Sequence, residues 1–217
     1  MIVTIDGPAG AGKSTLAPAL ADRLGFRFLD TGAMYRAIAR ELLDRQLRFD
    51  DPAAIAEMAQ TVKLHVEGSS IFVDGRDVST LIRKPEVNAV IHHVADNPRV
   101  RAMLRQAQRE YAERGSLVTE GRDQGTAVFP DAECKIYLTA SAEERARRRY
   151  HELRERGEAA SFEDVLAAQN ERDARDQARS DGRLMAAPDA VEICTDGLTT
   201  EAVLDRIEQI VRQRLSK

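Results

Sequence analysis

The chain has 217 residues, 43% of them apolar and 31% charged, with a formal net charge of −4. That is enough for one large core, and length alone does not call for two. The acidic balance excludes a general grip on nucleic-acid backbone, which would show as a net basic face, and leaves small anionic ligands open. Five short apolar runs read as fully buried strands: residues 2–5, 26–29, 117–119, 134–138 and 190–194. Helical patterns fall between them at 15–24, 35–43, 53–62, 100–112, 145–154 and 165–179. Asp51 before Pro52 and Asn97 before Pro98 open two of these as N-cap with proline at the first helical position. Ser141 with Glu144, and Ser161 with Asp164, form capping boxes ahead of two others, and Thr199 or Thr200 starts the last helix. Strands alternating with helices predict an α/β fold whose parallel sheet is covered on both faces.

One segment departs from this rhythm. Residues 63–82, KLHVEGSSIFVDGRDVSTLI, alternate apolar and polar side chains around turn signals at Gly68-Ser69 and Asp74-Gly75. They predict a small antiparallel meander inserted outside the main sheet. Cys134 and Cys194 each lie in an apolar run and read as buried strand thiols, not a disulfide. The four histidines show no ligand spacing with them, so no zinc site is predicted. No leader-like segment or long apolar span is present, which makes the cytoplasm the expected compartment and a membrane no partner.

The chemistry concentrates in IDGPAGAGKST, where the first strand runs straight into glycine, alanine and proline. Gly7, Gly10, Gly12, Lys13 and Ser14 complete the pattern G-x-x-x-x-G-K-[ST], preceded by a buried strand and followed by a helix. Glycines let backbone N–H groups converge on an oxygen-rich anion, and the helix start adds partial positive charge. Lys13 then reaches the β- and γ-phosphates of a nucleoside triphosphate and the Ser14 hydroxyl ligates Mg²⁺, so Gly7, Pro8, Ala9, Gly10, Ala11, Gly12, Lys13, Ser14 and Thr15 form the expected ATP-binding loop. No Asn-Lys-x-Asp guanine-reading sequence occurs, which argues against a GTPase switch.

Four further stretches narrow the class: LDTGAMYR at 29–36, EGRDQGTAVFP at 120–130, Arg101 between them, and ERDARDQAR at 171–179. At these residues the chain resembles the bacterial cytidylate kinases of the nucleoside monophosphate kinase family, nearly end to end. The resemblance implies a P-loop NTPase three-layer sandwich: a parallel five-stranded sheet, an NMP-binding insertion containing a small antiparallel sheet, and a helical lid. It implies a single kinase domain over 1–217, with its core at about 1–36, 98–146 and 181–217, the NMP-binding lobe at about 37–97 and the lid at about 147–180. It gives the Thr31 hydroxyl to the cytosine amino group, Arg36 and Arg122 to the acceptor phosphate, Asp123 to the base and Arg101 to the pyrimidine edge. Arg172, Asp176 and Arg179 would close over the ribose and phosphate. Glu120 stands where other members have Asp, and the resemblance gives it a contact to Mg²⁺ through water.

Cytosine offers an N4 amino donor to a carboxylate and its N3 and O2 acceptors to an arginine, so Asp123 with Arg101 favours cytosine, whereas uracil sets O4 against the carboxylate. Arg172, Arg175, Asp176 and Arg179 share one helix face by their spacing of three and four. Arg148 or Arg149, in the run RARRRYHELRER, is a candidate for the triphosphate. The implied reaction is ATP-dependent, Mg²⁺-assisted phosphorylation of CMP and dCMP by a cytoplasmic monomer, with Lys13, Arg36, Arg122, Arg172 and Arg179 as its catalytic cations. A related kinase acting on UMP or AMP, and a nucleotide switch without turnover, stay open from the residues alone.

Overall fold

The computed structural model describes residues 1–215. The chain divides into two compact units, Met1–Phe26 with Ser116–Lys217, and Arg27–Gly115. A five-stranded sheet runs in the order β2-β6-β1-β7-β8, from strands β1 (Ile2–Asp6), β2 (Arg27–Asp30), β6 (Leu117–Gly121), β7 (Cys134–Thr139) and β8 (Val191–Cys194). In the first unit β1 is flanked by β6 and β7 in parallel ladders, with Ile5 opposite both Glu120 and Ile136. Val3, Ile5, Leu117, Val118, Ile136, Leu138 and Ile193 are buried, as near-continuous apolar strands require. Helices α1 (Lys13–Leu24) and α8 (Thr200–Leu215) pack on each other and on β6 and β7 respectively. Helices α6 (Ala142–Glu155) and α7 (Phe162–Ala178) pack as a pair.

The second unit holds α2 (Thr31–Asp44), α3 (Pro52–Thr61), α4 (Pro85–Ala95) and α5 (Pro98–Ala112). It also holds the expected meander, β3 (Leu64–Glu67), β4 (Ser70–Val73) and β5 (Arg76–Asp77), as an antiparallel sheet of its own. Gly68 and Gly75 turn it with φ of 56° and 82°, and Asp74 joins them at 49°, a conformation Asp tolerates better than most residues. Ile71 and Val73 on β4 are buried, and β4 lies on α2.

Most helix starts follow the caps read from sequence. Asp51 accepts from Ala54 N, Asn97 from Arg99 N and Val100 N, Ser141 from Glu144 N, and Ser161 from Asp164 N. Three points differ. The stretch expected to lead into a helix at Tyr35 is already helical from Thr31, because Asp30 caps it at Ala33 N. Helix α4 was not among the predicted elements; its apolar residues Val87, Val90 and Val94 recur at helical spacing and are buried. Cys194, expected to be a buried thiol, is exposed, since β8 is the last strand of the sheet; Cys134 is buried as predicted.

Candidate active site

The loop after β1 is built on backbone that side chains resist. A Cβ at Gly7 (φ 147°) would lie 2.1 Å from the Leu138 carbonyl oxygen, and Gly10 and Gly12 hold φ of 80° and 95°. Helix α1 has Gly12 at its N-cap and no side-chain cap, unlike α2, α3, α5, α6 and α7, which leaves its first amides to an anion and not to a neighbouring hydroxyl or carboxylate. Lys13 is buried, and its Nζ donates to the Pro8 carbonyl at 2.7 Å across the loop. Burial pushes its pKa down to about 7, with Arg122 adding to the shift while Glu120 and Asp6 oppose it. An anion seated here would restore the charge. Ser14 is exposed on the first turn and Glu120 is buried at the end of β6, a hydroxyl and a carboxylate that suit a hard, oxygen-seeking cation such as Mg²⁺.

Asp6, the last residue of β1, ties this loop to a second one. Its Oδ1 accepts from Gln124 N at 2.9 Å and its Oδ2 from Gly125 N at 2.7 Å. These amides open a π-helical turn, Gln124–Val128, in which Val128 N and Phe129 N reach back five residues to the carbonyls of Asp123 and Gln124. Gly125 is obligatory there, since a Cβ would come within 2.9 Å of Thr4 Oγ1. Asp123 sits at the N-cap of the turn, buried, with its main chain fixed on both sides.

Desolvation raises the Asp6 pKa to about 6 despite those two amide bonds. Between pH 4 and 6 the unfolded carboxyl ionises while the folded one keeps its proton, so stability from this group falls as pH rises. An Asp6→Asn variant is therefore expected to gain on the wild type by about 2 kcal/mol between pH 4 and pH 7. Urea unfolding of both proteins across that range checks it; a pH-independent difference would show that the Asp6 charge carries no burial penalty.

Three of the cations expected at the acceptor side, Arg122, Arg172 and Arg179, meet around Asp176. Arg122 Nε donates to Asp176 Oδ2 at 3.0 Å, and Arg179 Nη2 donates to Oδ1 at 2.8 Å. Burial opposes ionisation of Asp176, but Arg122, Arg179 and Arg172 together hold it below the usual carboxylate range. The buried face of α7 carries Val165, Gln169, Asp173 and Asp176. Of the face expected from Arg172, Arg175, Asp176 and Arg179, the structure keeps Arg172 and Arg179 at Asp176, with Arg179 just past the helix end, and turns Arg175 outward to Glu171. Of the two open candidates on α6, Arg148 reaches the phosphate loop, with Nη1 3.4 Å from the Gly10 carbonyl and 3.0 Å from Thr195 Oγ1, while Arg149 pairs with Glu152 at the surface.

In the second unit Asp30 caps α2 and also accepts from Arg36 Nη2 at 3.1 Å, with Arg83 approaching at 3.9 Å. Arg36 Nε is buried with no partner among the described residues. Arg101 is buried; its Nη1 donates to the Ala95 carbonyl and its guanidinium lies 5.8 Å from the centre of the Tyr35 ring. Thr31 is buried at the first turn of α2. Within the first unit the structure thus gathers Lys13, Glu120, Arg122, Asp123, Arg172, Asp176 and Arg179; the second holds Thr31 and Arg36 on α2 and Arg101 on α5. Sequence reading passed over Asp6, Arg145 and Asp173, which are defined by partners far away in the chain, and it took Asp30 as part of the LDTGAMYR motif without its role as N-cap of α2 and holder of Arg36.

A model of the cytidylate kinase family matches residues 3–213. A cytidylate kinase of Rhodopirellula baltica is 49% identical over 98% of this chain and 93% of its own length. One of Caldanaerobacter subterraneus is 44% identical over 97% of this chain and 94% of its own. Among solved structures, that of TT1252 from Thermus thermophilus superposes with a TM-score of 0.50 at 23% identity, covering 99% of this chain and 97% of that one, a likeness of fold.

Proposed function

The chain belongs to the cytidylate kinase family, and from that membership we propose that it transfers the γ-phosphoryl group of ATP in line to the 5′-phosphate of CMP and dCMP, as a cytoplasmic monomer. The observation that carries the reading is the anion cradle around buried Lys13 in the same unit as Arg122, which Asp176 holds in place. Among the described residues no helix is long and apolar enough to cross a membrane.

In this mechanism the amides of residues 7–15 and Lys13 hold the β- and γ-phosphates. Ser14, and Glu120 through water, would hold Mg²⁺, which when bound offsets negative charge on the phosphates. Arg122 and Arg179 in the first unit and Arg36 in the second take the acceptor phosphate, with Arg172 and Asp176 over the ribose and phosphate. Thr31, Arg101 and Asp123 read the base. Asp176 already holds Arg122 and Arg179 in the first unit, and Asp30 holds Arg36 in the second, so little side-chain freedom of each is lost on binding. No general base is required, because a nucleotide phosphate with its second pKa near 6 is largely ionised at pH 7.

A coupled ADP-release assay with Mg·ATP and, in turn, CMP, dCMP, UMP, AMP and no acceptor tests the proposal. CMP and dCMP are expected to turn over at least about 100-fold faster than UMP, because a mismatched edge leaves buried polar groups unpaired. A preference for another monophosphate would overturn the base assignment, and acceptor-independent ADP release alone would overturn kinase activity.

A further inference from the structure

Behind the phosphate loop lies a buried ion pair to which the proposed mechanism gives no task. Arg145, on the first turn of α6, donates through Nε to the Ala140 carbonyl at 3.1 Å. Its Nη1 donates to the Ala9 carbonyl at 3.1 Å and to Asp173 Oδ2 on α7 at 2.5 Å. Both side chains are nearly sealed from water, at 7% and 11% exposure. One turn before Asp173, Gln169 Nε2 donates to the Arg145 carbonyl at 3.3 Å. The same glutamine lies against the loop itself: a Cβ on Gly10 would meet Arg145 Cβ at 2.9 Å and Gln169 Nε2 at 3.1 Å.

Ala9 is in the middle of the phosphate loop. A trans peptide points its carbonyl and the following N–H in opposite directions, so fixing the Ala9 carbonyl on Arg145 fixes the Gly10 N–H away from Arg145. One guanidinium therefore sets a loop amide and seats α7. On that helix Asp176 follows Asp173 by three residues, on the same buried face, and grips Arg122 and Arg179. The connection runs from Ala9 through Arg145 and Asp173 to Asp176 and Arg122, joining the loop for the donor phosphates to the cations proposed for the acceptor. Asp173 Oδ1 and Gln169 Oε1 are buried without a partner among the described residues. The hold of Arg145 on α7 thus rests on a single Asp173 oxygen, and it is separable from the Asp176–Arg122 pair.

We propose that Arg145 and Asp173 are positioning residues that seat α7 on the phosphate loop and so bring Arg172 and Asp176 into register with Lys13 and Arg122. The proposal rests on the kinase reading for its catalytic consequence, but not for the contact itself. Asp173→Asn keeps an oxygen for Arg145 and removes the charge. Its kcat for CMP is expected to fall roughly 30-fold, because sub-ångström misplacement of positioned groups is costly, while KM for ATP changes less than about threefold. ADP released without acceptor should rise relative to transfer, since a poorly seated α7 excludes water less well. Arg145→Lys, which loses the Nε bond to Ala140 and is one atom too short to reach Ala9 and Asp173 as Nη1 does, should show the same split, and Asp173→Glu should recover part of kcat. A merely structural role would lower the melting temperature and leave kcat and the hydrolysis-to-transfer ratio of the folded enzyme unchanged, which would overturn the proposal.

Hydrogen exchange on the wild-type protein, with and without a non-hydrolysable ATP analogue, needs no variant to fold. Amides of residues 169–176 are expected to gain protection together with those of residues 9–13 when the analogue binds. Gain in the loop with none in α7 would break the proposed link, whatever the enzyme's acceptor proves to be. Wild-type turnover with CMP, measured alongside, reports separately on the kinase reading.

Discussion

Lys13→Ala is expected to lower kcat with CMP by about three orders of magnitude while leaving the folded structure intact, as charge-stabilising groups in phosphoryl transfer commonly act. The expectation follows from where the amine sits. It is buried, it bonds across its own loop to the Pro8 carbonyl, and its pKa is pushed down to about 7 by burial and then by Arg122. A charge so poorly solvated gains most from the arrival of phosphate oxygens and from the charge that develops as the γ-phosphoryl group moves. The fold gains little from it: its bond is to a carbonyl of its own loop, and alanine suits the first turn of a helix. A circular-dichroism melt of the variant without nucleotide should lie within a few degrees of the wild type, and the stabilisation by Mg·ATP should shrink. Near-normal turnover would remove the loop from the mechanism. Loss of the melt would mean that the amine serves the fold instead.

What sequence could show here follows from how local each signal is. The strands, the capped helices and the meander depend on residues within a few positions of each other, and they appear within one to three residues of their expected places, apart from the early start of α2. The phosphate loop is also local, because its glycines are demanded by its own backbone. Asp6 is the opposite case. Its partners are Gln124 and Gly125, 118 and 119 residues away, and nothing near position 6 distinguishes a carboxylate that closes a distant turn from one that merely ends a strand. The ERDARDQAR stretch is a mixed case. Helical spacing brings Arg172, Asp176 and Arg179 together, as the structure has them, but it gives no sign of Asp173, which is buried because it finds a distant arginine, Arg145 on α6, just as Asp176 finds Arg122 just past β6. Cys194 shows the limit of apolar runs, which reveal a strand without telling that it is the edge strand with a face left open.

Asp123→Ala is expected to cost about two orders of magnitude in kcat/KM for CMP and to change KM for ATP less than about threefold, the pattern of a group that meets only the acceptor. Asp123 is buried at the start of the turn that Asp6 pins, and its carbonyl receives both Ala127 N and Val128 N. The backbone therefore offers one position for the carboxylate. A carboxylate there can only accept, so it matches the N4 amino group of cytosine and opposes O4 of uracil. Asparagine changes this in a way that alanine does not, because its amide can turn to present either an oxygen or an N–H₂. Asp123→Asn should thus narrow the CMP-to-UMP ratio of kcat/KM, chiefly by admitting UMP, while Asp123→Ala lowers CMP use without improving UMP. Measuring kcat/KM for both acceptors at saturating Mg·ATP decides the matter. If both variants lose CMP and ATP to the same extent, Asp123 supports the shape of the first unit and the base is read elsewhere; if only asparagine opens the site to UMP, the direction of a single buried hydrogen bond sets the specificity.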